Sequence, residues 1–160
     1  MEQSIFDAAG GMDAMRSIAR CWHELALTDP VVAHAFSHGY AADHEERLAT
    51  YLAQALGGPP AYTESYGAPA QMNRLHAGNG VHEDFDEAGI AVFARAVAQA
   101  DIPDPAATSI VEYWAWMTRD VLNRHPGTAA AVPADVPVHT WTWGGPSAPG
   151  DGPRIPAPSS

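Results

Sequence analysis

The sequence predicts an all-α fold, and three observations lead to that prediction. Apolar residues recur at spacings of three and four in four long segments, which is typical of amphipathic helices. Glycine and proline separate and end these segments. Alternating apolar and polar runs, the pattern of half-buried strands, are missing before Val136-Pro137-Val138. The long helices are predicted over residues 12–27, 43–56, 84–100 and 105–124.

A short helical segment precedes the first two long helices. Ser4 can cap this segment, which ends at Gly10-Gly11. Asp29-Pro30 stops the first long helix, because the residue before a proline avoids helical backbone angles. Asp43, with Glu46 three residues later, predicts a capping box at the start of the second.

A loop and a short helix are predicted between the second and third long helices. Tyr62 and Tyr66 lie in the loop. Pro69 suits the first position of the short helix, which contains His76. Gly78-Asn79-Gly80 breaks the chain directly after it.

The last two long helices complete a domain predicted over residues 1–126. Asp84 is the expected cap of the third long helix, and Asp104-Pro105 starts the fourth. Pro126-Gly127 ends the fourth helix.

Residues 127–160 are predicted to form an irregular tail, either extended or disordered. Their composition changes to alanine, proline and glycine, which bury little surface and include few helix formers apart from alanine. Trp141 and Trp143 leave two alternatives open. They either pin the first part of the tail onto the domain or belong to an idle apolar segment.

Charge and composition exclude several classes of protein. The formal net charge is −11, and all eight basic residues are arginine, which argues against nucleic acid and anionic membranes as partners. No apolar run approaches the length of a membrane span. The start, MEQSIFDAAGG, lacks the features of a signal peptide, so a cytoplasmic protein is expected. Cys21 is the single cysteine and suits a small buried position.

Motifs for zinc, di-iron and nucleophilic chemistry are missing. HExxH, G-x-S-x-G, a P-loop and a dinucleotide fingerprint are all missing. His34 and His38 are four residues apart, but they lie near a turn between helices. Cys21 and His23 are two residues apart, which places them on different faces of a helix. The chain nevertheless holds eight histidines: His23, His34, His38, His44, His76, His82, His125 and His139.

Haem is one cofactor that needs only a single protein imidazole. The porphyrin fills four iron positions and a proximal histidine the fifth. The remainder of such a site is an apolar pocket for the macrocycle. The apolar stripes of the predicted helices either line such a pocket or form an ordinary hydrophobic core. These stripes include Trp22, Phe36, Leu48, Met72, Phe93 and Met117.

Several motifs in order resemble those of one globin family. SIFDAAGG resembles an opening aromatic-Asp-x-x-Gly-Gly, and HEERLATYLAQALGGP at 44–59 resembles an E-E-R-L…G-G-P segment. RLHA at 74–77 resembles a Met-Arg-His-Ala-Pro run. Between these, matching residues follow at the expected intervals: Asp29-Pro30, Phe36, Tyr62, Gly67 and Pro69. The chain from SIFDAAGG to DVLNRHP resembles a truncated haemoglobin of group II.

The resemblance implies a two-over-two helical sandwich around haem b (iron protoporphyrin IX). His76 would be the proximal iron ligand, Phe36 would stack on the distal side, and His44 would occupy the distal-histidine position. Trp22 and His23 would occupy the two positions where the family typically has Phe and Tyr. Arg47 or Arg74 would pair with a propionate, or else be solvated. Further cofactor contacts are predicted for Leu48, Met72 and Tyr62.

Three departures from the family pattern affect the ligand site. His23 replaces the tyrosine that donates to bound oxygen, and Gly89 stands where group II has a tryptophan. One residue is inserted before His76, and Ala-Gly follows it instead of Ala-Pro. Trp114 or Trp116 is a candidate to fill the space at Gly89.

Two distal imidazoles are therefore expected. Either His23 or His44 would stabilise bound O2 or serve as a sixth iron ligand, unless His23 is a satisfied core residue.

The leading functional hypothesis is reversible binding of O2, NO and CO. Oxygen storage or transport, NO dioxygenation and peroxidase-type chemistry stay open, and the redox reactions require an external reductase. One alternative is a gas or redox sensor acting through the WTWGGP tail. Another is a helical protein of globin ancestry without haem. Oligomeric state is not predicted.

Overall fold

A computed structural model describes residues 3–33, 42–66, 83–121 and 138–147. Within these residues the chain forms six α-helices, a π-helical segment at Met117–Val121 and two short strands. The helices are α1 (Ile5–Ala9), α2 (Gly11–Thr28), α3 (His44–Ala55), α4 (Ala61–Tyr66), α5 (Glu83–Gln99) and α6 (Ala106–Trp116). The strands β1 (Trp141–Thr142) and β2 (Gly145–Pro146) pair antiparallel, with Trp141 opposite Pro146. The predicted helix around His76 lies outside the described residues.

The helix boundaries predicted near the amino terminus are confirmed. Ser4 caps α1, and its Oγ accepts the Asp7 amide at 3.1 Å. Gly10 has φ of 117°, a left-handed conformation that glycine adopts without strain, and it ends α1 and begins α2. Asp29 ends α2, and its Oδ1 accepts the amides of Val31 and Val32, both at 3.0 Å.

The predicted capping box at α3 is wrong. Asp43 does precede α3, but its carboxylate accepts from Arg47 Nε at 2.9 Å instead of capping the helix. Glu46 reaches across to α2 and accepts from Arg16 Nη2 at 3.2 Å. Guanidinium partners compete with the backbone for both carboxylates, because charge-assisted hydrogen bonds are stronger than those to neutral amides.

The predicted loop carrying Tyr62 and Tyr66 is a helix, α4. The Gln54 side chain holds it against α3, since it accepts from the Thr63 amide at 2.9 Å and donates to Thr63 Oγ1 at 2.7 Å. Local pattern could not show this, because the stabilising partner belongs to a different helix.

The third long helix differs little from the prediction, whereas the fourth is α-helical only to Trp116 and continues as the π-helical segment Met117–Val121. Its predicted end at Pro126-Gly127 lies outside the described residues.

Helix α5 begins at Glu83, so Asp84 lies inside its first turn and is not its cap. At α6, the Asp104 carboxylate accepts from both the amide and the hydroxyl of Thr108, at 3.2 and 2.9 Å. Asp104-Pro105 therefore starts the helix as predicted.

The helices pack as two pairs, which confirms the predicted two-over-two sandwich. Helix α2 packs on α3, α5 packs on α6, and α2 also contacts α5, which joins the pairs. The core between them consists of fully buried apolar side chains from all four helices, including Met15, Ile18, Leu52, Phe93 and Ile110. None of the helices in the described ranges is long and apolar enough to cross a membrane.

Both tryptophans pin the described tail residues, 138–147, onto the rest of the chain, which decides between the two alternatives for Trp141 and Trp143. Trp141 is buried, and its Nε1 donates to Ser109 Oγ on α6 at 3.1 Å. Trp143 Nε1 donates to the Gln3 carbonyl at 2.7 Å. The sequence predicts no convincing strand, whereas the structure contains this pair of two-residue strands.

Candidate functional site

Three nitrogen-bearing rings meet where the end of α2 faces the start of α3. The ring centroids of His23 and His44 lie 5.4 Å apart in an edge-on arrangement, and those of Trp22 and His44 lie 5.7 Å apart. We call Trp22, His23 and His44 the ring cluster. Small buried residues on both helices, Ala19 and Ala49 among them, allow the backbones to approach closely enough for these contacts.

Each ring of the cluster places a nitrogen out of contact with solvent. The buried atoms are Trp22 Nε1, His23 Nε2 and His44 Nδ1. An indole nitrogen can only donate, whereas each imidazole nitrogen donates or accepts according to its tautomer. The cluster therefore combines one fixed hydrogen-bond donor with two adjustable groups.

Glu45 is a functional candidate that the sequence analysis missed. Its Oε1 lies 3.0 Å from His23 Nδ1, although the two residues come from different helices. Glu45 follows His44 directly, but nothing in the sequence assigns it a role beyond its place in the E-E-R-L motif. Nothing local shows that it reaches a histidine on α2, because that contact depends on how α2 and α3 pack.

Glu45 also lies beside solvent, in an open groove of about 380 Å³ between α2 and α3. Its side chain is 49 % exposed, against 10 % for His23. The groove is lined by Asp13, Arg16, Ser17, Arg20, Glu45 and Glu46. Glu45 therefore connects the ring cluster to the surface.

An apolar wall backs the ring cluster. Trp114 lies 5.8 Å from Trp22 between ring centroids and stacks on Phe93 at 4.0 Å with an interplanar angle of 5°. Leu48, one turn after His44, is partly buried against the main core.

The expectation that Trp114 or Trp116 fills the space at Gly89 stays a prediction. A Cβ built at Gly89 would meet no atom of the described residues within 4 Å. Trp114 packs on Phe93, one turn further along α5, while Trp116 contacts the tail residue Trp141 at 5.6 Å. The size of a tryptophan side chain does not show in which direction its ring points, because that direction depends on how α6 packs.

Arg47 and Tyr62 lie on the side of α3 that faces α4. The Arg47 guanidinium lies 4.6 Å above the Tyr66 ring and pairs with Asp43, whose pKa this hydrogen bond lowers. Tyr62 is buried between Tyr51 and Tyr66, at centroid distances of 5.1 and 5.3 Å. The exposed ion pair leaves Arg47 at the surface, where a second anionic group can also approach it.

The remaining predicted site residues lie outside the described ranges. They are Phe36, Met72, Arg74 and His76. Within the described ranges, no three histidine, cysteine, aspartate or glutamate side chains form a group able to hold a metal ion.

Solved structures of truncated haemoglobins share this fold. A haemoglobin from Chloroflexus aurantiacus is 25 % identical with a TM-score of 0.67, and the match covers 77 % of this chain and all of that one. The group II truncated haemoglobin of Bacillus anthracis is 20 % identical with a TM-score of 0.68, covering 79 % and 95 %. The group II 2-on-2 haemoglobin of Agrobacterium tumefaciens is 26 % identical with a TM-score of 0.60, covering 74 % and 95 %.

A family model agrees with these structural matches. The model for bacterial-like globins matches residues 4–123, which span α1 to the end of the π-helical segment and include every residue of the ring cluster. The resemblance to truncated haemoglobins is thereby confirmed, and the chain belongs to the bacterial-like globin family.

Proposed function

We propose that this chain is a haem b protein that reversibly binds O2 and other diatomic ligands, including NO and CO. Membership of a globin family implies a haem cofactor and the binding of diatomic gases. The observation that carries the finer proposal is the ring cluster, in which two imidazoles and an indole place buried nitrogens together against an apolar wall.

The residues present fit the distal side of a haem. Such a pocket needs flat or aliphatic side chains against the macrocycle and a few polar groups for the ligand. Leu48, Trp22 and the two histidines have these properties. Bound haem would supply an iron atom able to bind a diatomic ligand.

We assign the other cofactor contacts from the family resemblance. His76 is proposed as the proximal ligand, with Phe36 and Met72 as apolar contacts. Arg47 or Arg74 would face a propionate, and the cation–π contact of Arg47 already holds its guanidinium on the α4 side of α3. Tyr62 would contact the cofactor from the same side.

The ring cluster would control the ligand by hydrogen bonding. A diatomic ligand that gains partial negative charge is stabilised by an N–H pointing towards it. Trp22, His23 and His44 carry the buried ring nitrogens that could supply it, each imidazole only in the matching tautomer. Either histidine could alternatively bind iron through a ring nitrogen when no gas is present. Electron transfer for NO dioxygenation or peroxidase-type chemistry would come from an external reductase, in the cytoplasm.

A second candidate function is a sensor that acts through the tail. The contacts that α6 makes in two directions favour it. Trp116 and Trp114 lie on the same helix, and Trp116 contacts Trp141 of the tail while Trp114 contacts Trp22 of the ring cluster. Helix α6 thus touches both the proposed ligand site and the segment 138–147, which is the part of the proposed tail that the structure describes.

Absorbance spectroscopy of the purified protein tests the leading proposal. We expect a Soret band that is lost in His76→Gly, and altered ferric and ferrous spectra or O2 release in His23→Ala or His44→Ala. His139→Ala is the matched control, since His139 lies in the tail segment, where its ring contacts Trp116. A wild-type protein without a Soret band after haem addition would refute the proposal.

A further inference from the structure

We propose that Glu45 is a positioning residue that holds His23 in one tautomer, with the proton on Nδ1 and a lone pair on the buried Nε2. The consequence for a gas ligand rests on the function proposed above, but the tautomer itself does not. The inference makes the two histidines of the ring cluster chemically different, whereas the sequence offered them as equivalent candidates.

The geometry between Glu45 and His23 selects the tautomer. Glu45 Oε1 lies 3.0 Å from His23 Nδ1, which is hydrogen-bonding distance. A carboxylate in neutral solution can only accept hydrogen bonds, so Nδ1 must donate. When one nitrogen of a neutral imidazole carries the proton, the other carries the lone pair, and the partner of the first decides which is which.

The two nitrogens of His23 lie in different surroundings. Nδ1 faces the half-exposed Glu45 at the groove, and Nε2 is buried in the ring cluster. With a lone pair on Nε2, His23 can accept a hydrogen bond or bind a metal, but it cannot donate to a partially negative ligand atom. Donation then falls to Trp22, which can only donate, and to His44.

Glu46 shows that this contact is particular to Glu45. Both glutamates are similarly exposed, at 49 % and 45 % of the side chain, and both line the groove. Glu46 pairs with Arg16, whereas Glu45 turns towards His23. Substituting either residue removes one exposed carboxylate from the same helix turn, so Glu46→Ala is a matched control for Glu45→Ala.

NMR chemical shifts of the ring nitrogens in the full-length protein test the tautomer. In the ferrous CO complex at neutral pH, which is diamagnetic, we expect wild-type His23 to show a protonated Nδ1 and an unprotonated Nε2. Glu45→Ala should shift population to the form protonated on Nε2, while Glu46→Ala should leave it unchanged. A wild-type ring with the proton on Nε2, or on both nitrogens, would overturn the inference, and so would an unchanged tautomer in Glu45→Ala.

The C–O stretching frequency of the same complexes separates this inference from the proposed function. If His23 faces the gas ligand, Glu45→Ala should lower the frequency, because a new N–H donor then points at the ligand, and Glu46→Ala should not. A tautomer change without any change in C–O frequency would support the positioning role of Glu45 and reject His23 as a distal residue. Should the protein bind no haem, the NMR measurement on the purified chain still decides the tautomer.

Discussion

At the scale of single residues, the chemistry of the proposed ligand site depends on the partner of each ring nitrogen as well as on the residue type. Two imidazoles at the end of α2 and the start of α3 could be proposed from the sequence, and the structure brings them to 5.4 Å. Of the two nitrogens of His23, Nε2 is buried in the ring cluster, and Nδ1 meets Glu45, which is 22 positions away along the chain. Residue type indicates the possible chemistry, while the hydrogen-bond partner selects among its forms.

Gly89 gives a test at this scale. Glycine inside a helix is less stable than alanine by about 0.5–1 kcal/mol, and a Cβ at Gly89 meets no described atom within 4 Å. We therefore expect Gly89→Ala to raise the free energy of unfolding by about that amount, as measured by urea denaturation.

Gly58→Ala is the contrasting variant for that test. A Cβ at Gly58 would lie 2.7 Å from both the Ala53 carbonyl oxygen and Phe6 Cγ, and backbone oxygen cannot move aside easily. This substitution should destabilise the fold by about 1–3 kcal/mol, as overpacking does. Equal effects of the two alanines would show that space around the glycines does not control stability.

At the scale of elements, α6 contacts both the tail and the ring cluster. Tyr113 and Trp116 contact Trp141 of the tail, at centroid distances of 6.0 and 5.6 Å, while Trp114 faces the ring cluster. The aromatic residues at 113, 114 and 116 point in different directions around the helix, so one short segment serves both the core and the proposed site. Periodicity identified the helix but not the partner of each ring.

Trp141 tests whether the strand pair contributes to stability. Its buried ring and its hydrogen bond to Ser109 are both lost in Trp141→Ala, so we expect the free energy of unfolding to fall by about 3–5 kcal/mol. Thr142→Ala, at the neighbouring exposed position, should change it by less than about 1 kcal/mol. Denaturant unfolding compares the two, and a neutral Trp141→Ala would mean that the docked tail adds nothing to stability.

At the scale of the whole molecule, the two helix pairs enclose a pair of tyrosines with perturbed ionisation. Burial raises the pKa values of both Tyr51 and Tyr113 above the ordinary value of 10. The two hydroxyls also interact with each other, which links α3 to α6 across the sandwich. Deprotonating either group would place a charge inside the core.

Alkaline unfolding follows from these pKa shifts. Above about pH 10 the unfolded chain releases the tyrosine protons, while the folded chain keeps them. Stability is therefore retained below pH 10 and decreases as pH rises towards the folded-state pKa values. Tyr51→Phe should make the decrease between pH 9 and about pH 11 shallower, as measured by unfolding at each pH. An unchanged slope would contradict the assignment.

The sequence by itself determined the class of fold, because the apolar spacing and the glycine and proline breaks are local properties that specify helices and their order. It also determined the candidate distal residues, since Trp22, His23 and His44 lie in recognisable segments. Only the tertiary structure decided the partners: Glu45 for His23, Gln54 for α4, and Ser109 for Trp141. These contacts join residues on different elements, and such pairings arise from packing, which no local pattern encodes.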